Sequence, residues 1–592
     1  MYQIISQLQK LHQGLTNRQP YLNYYLGLAA IIALSTVLRF QNLDLKPLWM
    51  DEVITAIFSL GKNYDQLPLD ILFPLQRVPE IFTYQSGVTC DQIAANLTHQ
   101  STHPPLFFCG MYSWLGWMTP LGSEWVTKLR SLPALFGVGT IVGIYFVNRT
   151  AFSPASGIIA ALIMAVSPFA VYLSQEARHY TMPMFLITLA LWGLMEIQRD
   201  ILDNKRLRWW VVLLWSIANI IGLYTHYFFI LAFIAEIITL ILLIYWCKTS
   251  IFKNSLIIAT TGVVISFIPW MPVMLNHFQS SATNWLPATM HISPVYNTLI
   301  SWILMVIALP VENQPLVITV ICGFFMVTFA IWVGLQVWKG LKTVYLQKTT
   351  HLSILTLATF MIVVLMQFFA IAYLFGKDIT AIPRYNFVYY PSFCALLAAS
   401  IGKNHQSKLI ILLVGVLSCV FVVSNLFFQK PFLPEQVAQN MNLEPSAPIM
   451  LVVGYSNYQD VALGLGFALA LEKLRNNTNS FNQFDTVGFL EKSPHSPPLW
   501  EKLDQMPTLG ISQINLWIVG PGMIRKSYPQ QLGLFGDSIC NIDTAQHHRI
   551  GIPYQLYRCQ KIRQVTGAAI TAPSASLNTR GMIKPPIVGG MG

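Results

Sequence analysis

The sequence predicts a polytopic α-helical membrane protein that ends in a small α/β domain, and three observations carry that reading. The chain is 54% hydrophobic and only 10% charged, whereas a soluble domain carries about 25% charged residues. Apolar runs of about 20 residues, long enough to cross a bilayer, recur from Tyr21 to Phe428. From residue 431 onward prolines, glycines and charges rise, and apolar runs shrink to strand length.

Residues 1–20 are polar, with Gln7, Lys10, His12 and Arg18. No small-residue cleavage site follows the first apolar run, so no cleavable signal peptide is expected. About eleven transmembrane helices are expected, near 21–40, 131–147, 155–172, 181–198, 209–225, 227–246, 255–275, 316–338, 352–375, 387–402 and 409–428. Two further apolar stretches, 104–121 and 296–310, are settled by loop charge. The 199–208 loop (Arg199, Lys205, Arg206, Arg208) is the most basic short loop and should be cytoplasmic, as should the N-terminus. An even number of crossings must separate them, so 104–121 is read as an interfacial or re-entrant helix, in keeping with Phe107, Phe108, Tyr112, Trp114 and Trp117.

The same parity places Lys248, Lys253, Lys339, Lys342, Lys348, Lys403 and Lys408 inside, provided 296–310 does not cross. The long first loop, 41–130, and the C-terminal domain, 431–563, then lie outside an inner or plasma membrane. Lys128 and Arg130 fall on the outer side against this trend.

The net charge of +11 is explained by that sorting rather than by nucleic acid. Of eight cysteines, Cys247, Cys322, Cys394 and Cys419 lie in or beside apolar runs. Cys90 and Cys109 share the first loop and Cys540 and Cys559 the last domain, so an oxidising compartment would allow two disulfides. In residues 431–563, Ile449–Val453, Ile514–Val519 and Tyr554–Tyr557 read as strands and Asp460–Arg475 as a helix. The tail from 564 to 592 reads as disordered.

The remaining polar groups gather at the outer ends of spans. Trp49-Met50-Asp51-Glu52 sets two carboxylates at a membrane surface, where partial dehydration makes charge costly. They suit a general base plus a metal or acceptor contact, or equally a solvated loop. Thr102-His103-Pro104-Pro105 enters the interfacial helix through an extended turn. The short turn Ser174-Gln175-Glu176-Ala177-Arg178-His179-Tyr180 holds a carboxylate, a guanidinium and an imidazole, more than interfacial anchoring requires. Arg384-Tyr385 opens a late span from outside, and an arginine there suits a lipid phosphate. His226 is a further candidate metal or phosphate ligand. A polyprenyl-phosphate sugar needs cations for its phosphate, an apolar groove for its tail and a carboxylate near the sugar, and this face offers all three.

Taken together, Trp49-x-Asp51-Glu52, His103-Pro104-Pro105, Arg130-Ser131-Leu132-Pro133, Ser174–Tyr180 and Arg384-Tyr385 resemble the GT-C glycosyltransferases over residues 20–430. The likeness is to the family 39 type, comprising protein O-mannosyltransferases and bacterial aminoarabinose transferases. It implies a sugar transferred, hexosyl or pentosyl, from a polyprenyl-phosphate carrier to an extracytoplasmic lipid, glycan or protein acceptor. Asp51 would be the base, with inversion at the sugar carbon. It makes the Glu176–Tyr180 turn, with Arg178 and His179, the second polar wall of the site and Arg384 the phosphate contact, with His103 and Tyr385 among the substrate-binding residues. The Pro-Pro motif of the aminoarabinose transferases begins with Lys, where this chain has His103. Metal dependence varies in the superfamily; Glu52 and His226 are the ligands this chain would offer a divalent ion. A transporter or flippase without transferase activity, or a scaffold presenting the outer domain, are the competing readings. The clustering of charge on one face and the lack of repeated halves stand against the transporter.

Overall fold

The computed structural model describes residues 22–562 apart from 121–123, 204–206, 249–252, 281–286, 288, 290, 402–404, 493–497 and 509. The expected cytoplasmic segment 1–20 and tail 564–592 lie outside the described residues, as do Lys205, Arg206 and Lys403.

Among the described residues, eight helices are long and apolar enough to cross a membrane: Leu22–Phe40, Trp125–Ala151, Thr181–Leu202, Phe229–Trp246, Lys253–Gln279, Leu316–Tyr345, His351–Phe375 and His405–Val423. Pro154–Ala165 and Pro168–Ser174 form a ninth only if counted as one span bent by 61°. The chain is an integral membrane protein of helical bundle type. Length corrects the expected number of spans. Trp209–Leu223 and Tyr390–Ile401 have 15 and 12 residues, about 22 and 18 Å at 1.5 Å per residue, less than the bilayer core. Each is cut short by irregular backbone, Tyr224–Phe228 after the first and the 3₁₀ turn Pro383–Val388 before the second. Such backbone is tolerated at membrane depth only where protein encloses it, and Tyr390–Ile401 is buried on nearly every side.

The 104–121 stretch forms a 13-residue helix, Leu106–Met118, about 20 Å long and too short to span. Its aromatics differ from the expectation: Phe107, Phe108 and Tyr112 face the protein core, and Trp117 is exposed. Pro105 adopts right-handed helical angles rather than an extended turn and serves as the helix cap.

The first loop and the C-terminal domain form one body. A seven-stranded sheet has the order β1-β3-β2-β4-β7-β6-β5, where β1 (Leu72–Pro74) comes from the first loop. The others are β2 (Ile449–Tyr455), β3 (Thr486–Glu491), β4 (Gln513–Val519), β5 (Gln531–Leu534), β6 (Ser538–Ile550) and β7 (Ile552–Lys561). β2 pairs in parallel with β3 and β4, joined through the helix Tyr458–Asn477, and the rest pair antiparallel. Tyr64 of the loop stacks on Tyr458 with centroids 4.4 Å apart. Phe58, Phe107, Val461 and Phe467 share one core.

Cys90–Cys109 and Cys540–Cys559 are both disulfide-bonded. Opening the first by Cys109→Ser is expected to lower unfolding free energy by about 3 kcal/mol through the loop it closes. A thermal melt in detergent reads this, and an unchanged midpoint would show the loop is held without the bridge.

Candidate active site

The site begins with the helix Met50–Ser59, whose first turn carries Asp51 and Glu52. Carboxylates there meet the positive end of the helix. The two residues then part company. Glu52 points inward and is fully buried; Arg130 donates from Nε to Oε1 at 2.8 Å and from Nη2 to Oε2 at 2.7 Å. The Ala177 amide adds a third bond at 2.7 Å. Burial alone would raise the Glu52 pKa, but Arg130, Lys430 and these bonds bring it down to about 2. Arg130 also donates to the carbonyls of Leu43 and Lys46, so it clamps the segment leading to the site. This corrects two expectations. Glu52, expected as a base or metal ligand, is an ion-pair partner with both carboxylate oxygens engaged by Arg130. Arg130 is an interior charge rather than a loop charge against the membrane-sorting trend.

Asp51 points the other way and pairs with Arg384, Nη2 to Oδ2 at 3.1 Å, with both side chains largely shielded. Arg384 is delivered by the 3₁₀ turn Pro383–Val388, which Asn386 steadies by donating to the Pro383 carbonyl at 2.8 Å. Its guanidinium lies 5.2 Å from the Trp49 ring centroid and 5.9 Å from those of Tyr180 and Tyr385, within cation–π range. Burial works against its charge, yet Tyr180, Asp51 and Tyr172 raise its pKa, so it stays cationic.

The Ser174–Tyr180 turn supplies the second wall. The helix Trp125–Ala151 approaches it so closely at Gly137 that a Cβ would collide with Ser174 Oγ. Gln175 donates to the Gln41 carbonyl at 2.8 Å, tying the turn to the end of the first span. Arg178 donates to the Asp51 carbonyl at 2.9 Å and to Thr55 Oγ1 at 2.7 Å. Its Nη2 lies 3.4 Å from His103 Nε2 and its Nε has no partner. An imidazole nitrogen facing a guanidinium must accept, so His103 is neutral with its proton on Nδ1 toward Ser101 Oγ, 3.0 Å away. Burial first and Arg178 second hold its pKa well below 6.5. His103 therefore orients Arg178 and supplies no permanent charge for a phosphate.

His179 packs between His103 and His226 at ring distances of 4.8 and 4.6 Å, and neither of its ring nitrogens has a partner. His226 Nδ1 accepts from the Phe228 amide at 3.0 Å, and burial with Arg178 lowers its pKa to about 3. Among the described residues no three His, Cys, Asp or Glu side chains are placed to hold a metal ion. With Glu52 bound to Arg130, the expected pair Glu52 and His226 does not fit a divalent ion.

The structure thus brings Asp51, His103, Arg178, His179, Tyr180, His226, Arg384 and Tyr385 together, and it sets Glu52 behind them. Glu176 faces Lys430, with which it forms a buried ion pair. Two site residues escaped the sequence: Lys430 and Lys46, both buried. Each lies just beyond a span, where a lysine reads in the sequence as an ordinary surface charge.

The three buried neutral histidines predict a pH effect. Their unfolded pKa is about 6.5 and their folded values lie lower. The unfolded chain then binds more protons below pH 6.5, so their contribution is fully present above it and is lost as pH falls toward the folded values. The slope is at most about 1.4 kcal/mol per pH unit per histidine. His226→Phe should flatten the decline of the melting midpoint between pH 7 and 5; an equal decline in both proteins would contradict the assignment.

Residues 103–275 match the family described as dolichyl-phosphate-mannose-protein mannosyltransferase. No curated protein matches the chain. Among solved structures, the ArnT of Cupriavidus metallidurans bound to undecaprenyl phosphate is similar at 10% identity. That match covers 92% of this chain and 99% of the other, with a TM-score of 0.48. The Pmt1–Pmt2 protein O-mannosyltransferase complex of S. cerevisiae, bound to its sugar donor, is similar at 15% identity and a TM-score of 0.32. That match covers 43% of this chain and 34% of the other, so the chain spans about a third of that protein's length. The Archaeoglobus fulgidus oligosaccharyltransferase AglB, with an inhibitory peptide and a dolichol-phosphate, is similar at 11% identity over 76% of this chain and 64% of that one, TM-score 0.38. The chain is an integral membrane protein whose residues 103–275 match the family described as dolichyl-phosphate-mannose-protein mannosyltransferase.

Proposed function

We propose that the protein is a glycosyltransferase that moves a sugar from a polyprenyl-phosphate carrier to an acceptor outside the cytoplasm. The observation that carries this is the Asp51–Arg384 pair, a shielded carboxylate and guanidinium in contact beside a second buried arginine. The family match over residues 103–275 supports the donor class. Asp51 takes the acceptor proton as the acceptor attacks the sugar carbon. Arg384 and Arg178, with an unpartnered Nε on each, turn to the carrier phosphate and hold it. One displacement inverts the sugar carbon. The carrier tail leaves along the apolar surface of the bundle, and the C-terminal domain, sharing a core with the helix that carries Asp51, borders the acceptor side. Active site and C-terminal domain then face outward.

The test is to incubate purified protein with a panel of polyprenyl-phosphate hexoses and pentoses and measure released polyprenyl phosphate. Turnover of at least one donor is expected. No release from any donor, with wild type and Arg384→Met indistinguishable, would sink the reading.

A further inference from the structure

Pairing in the site leaves a charge imbalance. Arg130 has Glu52, Arg384 has Asp51 and Lys430 has Glu176. Arg178 is buried and, among the described residues, has no carboxylate of its own. A buried cation without a partner is costly, so an enclosed site of this kind is built to receive an anion.

The position of Lys430 shows where. Lys430 lies 4.9 Å from the centroid of the Trp49 ring, the same indole that Arg384 covers at 5.2 Å. The ring of Tyr172 also lies beside Lys430, at 5.9 Å. Trp49 is buried, and its indole N–H has no hydrogen-bond partner. Glu176 spends one oxygen on Lys430, while its other oxygen has no partner. The Lys46 carbonyl is held by Arg130, and burial first, then repulsion from Lys430, lower its ammonium pKa to about 7. Arg384, paired with Asp51, and Lys430, paired with Glu176, therefore both lie against one indole ring.

The proposed reaction changes the charge of the phosphate. In the donor the phosphate is a diester with one negative charge. When the sugar carbon–oxygen bond breaks, its electron pair stays on the phosphate oxygen, which becomes a monoester with a second charge. The acceptor oxygen forms the new bond to the sugar carbon, and its proton passes to Asp51. A group that meets only the second charge stabilises the transition state more than the bound donor. Resting on the donor reading above, we infer that Lys430 is the catalytic cation that takes this developing charge, while Arg384 holds the charge the donor already bears.

The experiment compares Lys430→Met, Lys430→Arg and Arg384→Met in donor turnover and in inhibition by polyprenyl phosphate. Lys430→Met is expected to lower kcat by about 10²-fold and to weaken inhibition by the product similarly, with donor KM nearly unchanged. Lys430→Arg should recover most of both. Equal losses in donor KM and product inhibition, or wild-type kinetics in Lys430→Met, would overturn the inference. Should Lys430→Met misfold because Glu176 is left unpaired, the Lys430→Met/Glu176→Gln pair is measured instead against the same two criteria. A wild-type protein that turns over no donor overturns the donor reading, and this inference with it, before any variant is compared.

Discussion

Asp51→Asn is expected to lower sugar transfer by about 10²–10⁴-fold, the range general-base catalysis supplies, with the protein still inserted and folded. The substitution keeps the size of the side chain and one hydrogen-bond acceptor for Arg384, so the turn Pro383–Val388 stays in place. The catalytic proton has nowhere to go, because Glu52 is held by Arg130 and the Ala177 amide and cannot substitute. Transfer assays on detergent-purified protein with a matched melting midpoint read the effect. Asp51→Asn activity within a few-fold of wild type would assign the base elsewhere.

Arg130→Met has the largest expected effect on stability. It strands a fully buried Glu52 and frees the carbonyls of Leu43 and Lys46. Breaking a buried ion pair from one side costs about 3–5 kcal/mol, a large share of ordinary stability. The variant should be degraded or aggregate on extraction. Arg130→Met/Glu52→Leu should recover part of the loss, since replacing both partners removes the unpaired charge. A single variant as stable as wild type would show that the pair is not what holds the start of the helix Met50–Ser59.

The contrast between Asp51 and Glu52 shows what the sequence could and could not tell. Two adjacent carboxylates announce a polar feature at a membrane surface, but adjacent positions on a helix point about 100° apart. Which of them meets Arg130 is a tertiary fact. Arg384 was legible because loop charge puts it at the expected outer end of a span, where an arginine opposes charge sorting. Lys430 was hidden by its place at the border between the last span and the C-terminal domain, where a lysine looks like an ordinary surface charge. The bundle itself was legible from apolar run length, yet Trp209–Leu223 and Tyr390–Ile401 show its limit. Hydropathy registers an apolar segment and not where irregular backbone at Tyr224–Phe228 or Pro383–Val388 cuts the helix. β1 was not legible at all: three residues, Leu72–Pro74, join a sheet whose other strands lie nearly 400 residues further on, and only the pairing with β3 makes them a strand.

The most direct test separates binding from chemistry with a photoreactive polyprenyl phosphate. Asp51→Asn should be labelled as strongly as wild type while transferring no sugar, and Arg384→Met should lose the labelling. Labelling and transfer unchanged in both variants would mean that the contact between Asp51 and Arg384 is not where the carrier is bound and the sugar leaves it.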